Sequence, residues 1–125
     1  MNIALLGYGK MGKEIERLAI EMGHSIVFKG KSDWKNEDLE QAEIVIEFSS
    51  PEAGFENVIR CLALKIPIVS GTTGWHHSLP EAIAFCNKVD GSFFYASNYS
   101  LGVNIFFALN QTLARWMANF PQFSP

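Results

Sequence analysis

The chain has 125 residues, a length that fits one domain, and 48% of them are hydrophobic with ten phenylalanines, enough to bury a sizeable core. A formal charge of −3 without any run of basic residues argues against nucleic acid as a main partner. No apolar stretch approaches the roughly 20 residues needed to cross a bilayer, so no membrane partner is expected.

Asn2 to Leu6 is an apolar run ending at Gly7, and it reads as a buried strand. Met11, Ile15, Leu18, Ala19 and Met22 recur at helical spacing and predict one apolar face, with Gly23 as the C-terminal cap. Ser25 to Phe28 is a second strand. The polar segment Lys29 to Gln41 leaves room for a short helix around Glu37 to Gln41. A third strand, Glu43 to Phe48, leads into Ser50, a good N-cap, and Pro51, a good first helical residue. The helix after it aligns Phe55, Val58, Ile59, Leu62 and Ala63. Ile66 to Ser70 is a fourth strand, and Ser78 to Glu81 has capping-box spacing for a helix running to about Lys88. Ser92 to Ala96 is a fifth strand. A long helix from about Leu101 to Asn119 presents Phe106, Leu109, Leu113, Trp116 and Phe120 as its main apolar face.

Strands alternate with helices and are continuous apolar runs, which predicts an α/β fold: a doubly wound, Rossmann-type parallel sheet covered on both faces. A complete fold of this kind has about six strands. Five are legible here, and the chain stops soon after the last helix at Phe120-Pro121-Gln122-Phe123-Ser124-Pro125, so 1–125 is expected to be one domain of a longer protein. The opening residues carry no basic leader and no small-residue cleavage site, which fits a cytoplasmic protein.

Gly7-Tyr8-Gly9-Lys10-Met11-Gly12 matches G-x-G-x-x-G where the motif has meaning, after the first strand and at the start of the first helix. The glycines permit a tight turn, close approach of the backbone to a diphosphate, and close helix–strand packing. Free amides at the helix start favour an anion, and Lys10 can add a charged contact. This loop is therefore expected to bind the diphosphate of NADH or NADPH. The second strand tip normally offers a carboxylate to the adenosine ribose, but here it reads Phe28-Lys29-Gly30-Lys31-Ser32. Lys31 cannot accept bonds from ribose hydroxyls and could pair with a 2′-phosphate, so NADP is expected to be accepted at least as well as NAD. Gly71-Thr72-Thr73-Gly74 and Ala96-Ser97-Asn98-Tyr99-Ser100 fall on the same edge of the sheet and complete the outline of one cleft. Trp75-His76-His77 reads as a polar surface turn, because adjacent histidines point in different directions and lack companions at metal-site spacing. His24 reads as structural, and Cys61 and Cys86 as reduced, mostly buried thiols. No metal site is expected.

Taken together, these loops resemble the dihydrodipicolinate reductase family. The resemblance runs through Gly7 to Gly12, through Glu47-Phe48-Ser49-Ser50-Pro51 (similar to the family's D-F-[ST]-x-P), through Gly71 to Gly74, and through Ser97 to Asn104 (similar to N-[FM]-S-x-G-V-N). It implies an NAD(P)H-dependent reductase of lysine and diaminopimelate biosynthesis. The implied sites are Gly7, Tyr8, Gly9, Lys10, Met11 and Gly12 for the diphosphate, and Lys31 near the adenosine ribose. Gly71, Thr72, Thr73, Ala96, Ser97, Asn98 and Tyr99 would surround the nicotinamide half. The family's E-x-H-H and K-x-D-A-P-S-G-T motifs are absent from 1–125, so no catalytic residue is expected in this chain. A small-molecule substrate and a homo-oligomer, by resemblance a tetramer, are expected of the full-length protein, and the isolated domain is expected to expose an apolar edge. Two alternatives stay open: a non-catalytic dinucleotide-sensing domain, and another NAD(P)-dependent dehydrogenase of amino-acid metabolism such as an aspartate or homoserine dehydrogenase.

Overall fold

The computed structural model describes residues 1–31 and 33–120, so the readings attached to Ser32 and to 121–125 lie outside the described residues. The elements are β1 (Asn2–Leu6), α1 (Lys10–Glu21), β2 (Ser25–Gly30), β3 (Ile44–Glu47), α2 (Pro51–Ala63), β4 (Ile68–Ser70), α3 (Leu79–Lys88), β5 (Phe93–Tyr95) and α4 (Leu101–Met117). The strands form one five-stranded sheet in the order β2-β1-β3-β4-β5, and every pairing is parallel. This is the Rossmann-like α/β architecture that the alternation of elements predicts.

The continuous apolar strands are explained by burial on both faces. Ala4 and Leu6 of β1 point into the larger core with Val45, Val58, Cys61, Leu62, Ile68 and Ala82, beneath α2 and α3. Ile3 and Leu5, one residue out of phase, face α1 through Ala19 and Ile15. Trp75 corrects the reading of a polar turn at 75–77. Its indole is 1% exposed, and its ring lies 5.2 Å from Tyr95 and 6.2 Å from both Phe55 and Phe93. Only His76 and His77 are surface residues, in a 3₁₀ turn.

Local departures have local causes. β2 continues two residues past Phe28 because Lys29 and Gly30 still pair with Leu5 and Leu6. The short helix expected at 37–41 is a 3₁₀ turn at Asn36–Leu39, pinned by buried Leu39 and by the Asp38 carboxylate accepting from the Lys35 amide at 2.8 Å. Ser78 makes no side-chain cap, because the 3₁₀ turn runs directly into α3. Ser50 occupies the N-cap position of α2 without a side-chain cap bond. On α1 only Ile15 and Ala19 join the core, whereas Met11, Leu18 and Met22 are exposed. Gly12 brings the helix so close to the end of β1 that only a narrow stripe touches the sheet: a Cβ there would sit 2.5 Å from the Gly7 carbonyl oxygen.

The last helix differs most from a core helix. Phe106, Leu109, Leu113, Trp116 and Phe120 all form an apolar face as expected, yet each is at least half exposed, and α4 buries no residue. Phe94 on the edge strand β5 is also exposed. The expected apolar edge is therefore present. Truncation on the two kinds of face should differ: Leu6→Ala should cost about 2–5 kcal/mol in urea unfolding, whereas Leu109→Ala should stay within about 0.5 kcal/mol.

Candidate functional site

The crossover from β1 leads to β2 on one side and that from β3 leads to β4 on the other, so the carboxyl ends of β1 and β3 flank a topological switch point. Parallel sheets leave a crevice at such a point. Here it is a cleft of about 410 Å³. The loop after β1 contributes Gly7, Tyr8 and Gly9, the tip of β2 contributes Lys31, the loop after β3 contributes Phe48, Ser49 and Ser50, and the first turn of α2 contributes Ala53.

Gly7 and Gly9 serve different purposes. The Gly7 amide donates to the Gly30 carbonyl at 2.8 Å, and the residue adopts φ +93°. A Cβ at Gly7 would lie 1.9 Å from the Phe48 carbonyl oxygen, so the fold itself demands glycine there. At Gly9 a Cβ would meet nothing within 4 Å, and φ is an ordinary −94°. No collision within the fold demands glycine at this position, and Gly9 lines the cleft. Gly9 is also the N-cap of α1, which has no side-chain cap and no acidic residue in its first turn. Its leading amides are thus available to an anion. Lys10 and Met11 are exposed beside that opening, and Gly12 is buried beneath it.

The Tyr8 side chain is held at the edge of the cleft. Its hydroxyl bonds Glu16, and Lys29 lies 2.8 Å from the Glu16 carboxylate and 4.9 Å from the Tyr8 ring centre. The Lys29 ammonium, then the Tyr8 hydroxyl, hold the Glu16 carboxyl below the usual carboxylate range. Lys29 is therefore engaged with α1, and Lys31 is the lysine of this strand tip that lines the cleft.

The other expected loops assemble around Phe48. Gly71 donates its amide to the Glu47 carbonyl at 2.9 Å and packs so closely that a Cβ would enter the Phe48 ring. Thr72 is buried with its hydroxyl turned inward: it donates to Glu47 at 2.7 Å and accepts from the Ser49 amide at 2.8 Å. Thr73 is exposed. The Ala96 amide and the Tyr99 hydroxyl both donate to the Ser70 carbonyl, at 3.3 and 2.9 Å, and the Tyr99 ring lies 6.1 Å from that of Phe48. Ser97 is exposed, while the Asn98 side chain accepts from the Ser100 amide at 2.8 Å and shapes the entry to α4. The structure thus brings the four loop groups to one edge.

Sequence reasoning placed Glu47 to Ser50 in a motif of resemblance but gave them no place in the site, and it did not single out Ala53. Glu47 is the least expected of them, a carboxylate at 0% exposure in the last position of β3. It accepts from the Ser49 amide at 3.0 Å, the Ser49 hydroxyl, the Ser70 hydroxyl at 2.5 Å and the Thr72 hydroxyl. The available signal was an acid closing an otherwise apolar strand, immediately before two serines. Elsewhere Cys61 and Cys86 are free thiols, buried and half-buried, and burial pushes the Cys61 thiol up to about 12. Among the described residues, no three His, Cys, Asp or Glu side chains cluster as a metal site.

Residues 1–99 match the family model described as dihydrodipicolinate reductase, N-terminus. The chain is similar to a 4-hydroxy-tetrahydrodipicolinate reductase of Christiangramia forsetii, with 51% identity over 99% of this chain and 53% of that protein. It is also similar to one of Neisseria gonorrhoeae, with 31% identity over 80% of this chain and 38% of that protein. The chain therefore spans about half the length of the first relative and less of the second. Among solved structures, aspartate dehydrogenase from Thermotoga maritima superimposes with a TM-score of 0.58, at 16% identity, over 84% of this chain and 49% of that one. That likeness concerns the fold.

The two glycines should separate in a stability measurement. Gly7→Ala should destabilise by about 3 kcal/mol or more through backbone strain and collision, and Gly9→Ala by about 1 kcal/mol at most, in paired thermal or urea unfolding curves.

Proposed function

The chain belongs to the dihydrodipicolinate reductase family, and from that premise we propose that it is the NADH- or NADPH-binding part of a 4-hydroxy-tetrahydrodipicolinate reductase. The observation that carries the reading is the uncapped start of α1, with empty space above Gly9, opening into the cleft at the switch point. In this reading the amides from Gly9 to Gly12 grip the cofactor's diphosphate and Lys10 adds a charge. Lys31 sits at the adenosine ribose. Gly71, Thr72 and Thr73, together with Ala96, Ser97, Asn98 and Tyr99, surround the nicotinamide half. Thr72 would act there through its backbone, because its hydroxyl is already engaged. Phe48, Ser49 and Ser50 join the site as lining residues.

The reduced nicotinamide supplies the hydride, and the acceptor is the cyclic imine formed from 4-hydroxy-tetrahydrodipicolinate with loss of water. The chain's own part is to bind, orient and shield the cofactor. The acid and the substrate-binding groups are assigned to the part of the relatives that lies outside these 125 residues, as is assembly into a homo-oligomer. No helix of the described residues is long and apolar enough to cross a membrane; the cytoplasmic location we assign rests on the family's metabolic role.

Titration of the chain with NADH and NADPH, followed by nicotinamide fluorescence, tests the reading. Saturable binding without turnover of the imine is expected; absence of binding by either cofactor overturns it. Gly9→Ala should fold normally yet weaken both cofactors on the order of tenfold or more, since its methyl occupies the diphosphate's approach. Lys31→Asp should lower the NADPH-to-NADH affinity ratio on the order of tenfold, the worth of one charged hydrogen bond. An unchanged ratio removes Lys31 from cofactor selection.

A further inference from the structure

A carboxylate sealed from water without a cation beside it is costly unless hydrogen bonds fill its lone pairs. The described ion pairs lie among Glu14, Glu16, Arg17, Glu21 and Lys29, none of them at Glu47. Instead Glu47 is satisfied by hydroxyls and an amide, and each donor stands at the carboxyl edge of the sheet. Ser49 belongs to the loop after β3, and Ser70 and Thr72 to the end of β4 and its loop. The Ser70 carbonyl in turn receives the Tyr99 hydroxyl from the loop after β5.

The chain of bonds continues in the other direction. The Asn57 amide of α2 donates to the Ser49 hydroxyl at 3.3 Å, and the Asn57 side-chain oxygen accepts from the Trp34 indole at 2.8 Å. Trp34 follows the tip of β2 that carries Lys31. Its ring is covered by the Arg60 guanidinium at 3.6 Å, and its carbonyl accepts from the same group at 3.1 Å. One network, buried at Glu47, Ser70, Thr72, Asn57 and Trp34, therefore joins the loops after β2, β3, β4 and β5.

We propose that Glu47 is a positioning residue that sets the spacing of the nicotinamide-side loops by gathering Ser49, Ser70 and Thr72 onto one buried carboxylate. The proposal rests on the dinucleotide reading of the cleft. Glu47 does not line the cleft, so it acts through Ser49 and through the backbone at 70–72. Asn57 continues the hydrogen bonds to Trp34, but Arg60 holds that indole and its carbonyl separately, so the adenosine side does not depend on Glu47. The glycine loop stands apart from this network and holds the diphosphate by its own amides.

The test compares two probes on the same chain. NADPH spans the whole cleft, whereas ADP carries the adenosine and phosphates but no nicotinamide. Glu47→Gln keeps the shape and replaces an acceptor with a donor facing hydroxyls. It should weaken NADPH on the order of tenfold and change ADP, measured by competition, by less than about twofold. Equal weakening of both probes would mean a general loss of structure, and no change in either would mean no positioning role; each overturns the proposal. Should Glu47→Gln fail to fold, Ser70→Ala decides. It removes one donor and leaves the cleft lining intact, and about a threefold loss confined to NADPH is expected. Failure of the unaltered chain to bind NADPH overturns the cofactor reading itself, and this proposal with it.

Discussion

The structure depends on how closely the end of β1 approaches the end of β3. Gly7 passes the Phe48 carbonyl at a distance that excludes any Cβ, and its amide is tied sideways to Gly30 of β2. The carboxyl ends of three adjacent strands, β2, β1 and β3, are thereby tied to one another. Only because that junction is so tight does the chain, turning from Gly7 into α1, arrive with its helix opening directly over the switch point. A wider junction would carry Gly9 and the free amides away from the wall formed by Ser49 and Ser50.

On the far side of the cleft the organising element is polar rather than steric. Phe48 and Gly71 touch as ring against backbone, but the loops after β3, β4 and β5 take their positions from hydrogen bonds centred on Glu47 and the Ser70 carbonyl. A buried polar network costs more than an apolar core when left half satisfied, so it tolerates few alternative arrangements. The cleft is thus held together in two separate ways, by close contact at Gly7 and by hydrogen bonds at Glu47.

Much of this was legible in the sequence, because the relevant signals are short-range. G-x-G-x-x-G between a strand and a helix carries its geometry in the residues themselves, and continuous apolar strands imply two covered faces. Contacts between loops from different strands were not legible. Nothing local distinguishes Thr72, whose hydroxyl turns inward, from Thr73, which is exposed, and nothing local says that Trp75 is buried while His76 and His77 are not. Helical spacing in α4 marked an apolar face correctly, but spacing cannot name the surface that covers such a face. The same limit explains α1, where Met11, Leu18 and Met22 share the period of Ile15 and Ala19 without sharing their burial.

The contrast between Gly7 and Gly9 bears most directly on function. A glycine that the fold requires says only that the chain turns or packs closely there, and Gly7 and Gly12 are of this kind. Gly9 has a negative φ and empty space where a side chain would be, so no collision within the fold demands it. What a side chain would obstruct is the approach from the cleft to the uncapped amides of α1. A helix start without a side-chain cap favours anions, and Gly9 leaves that end of α1 unobstructed.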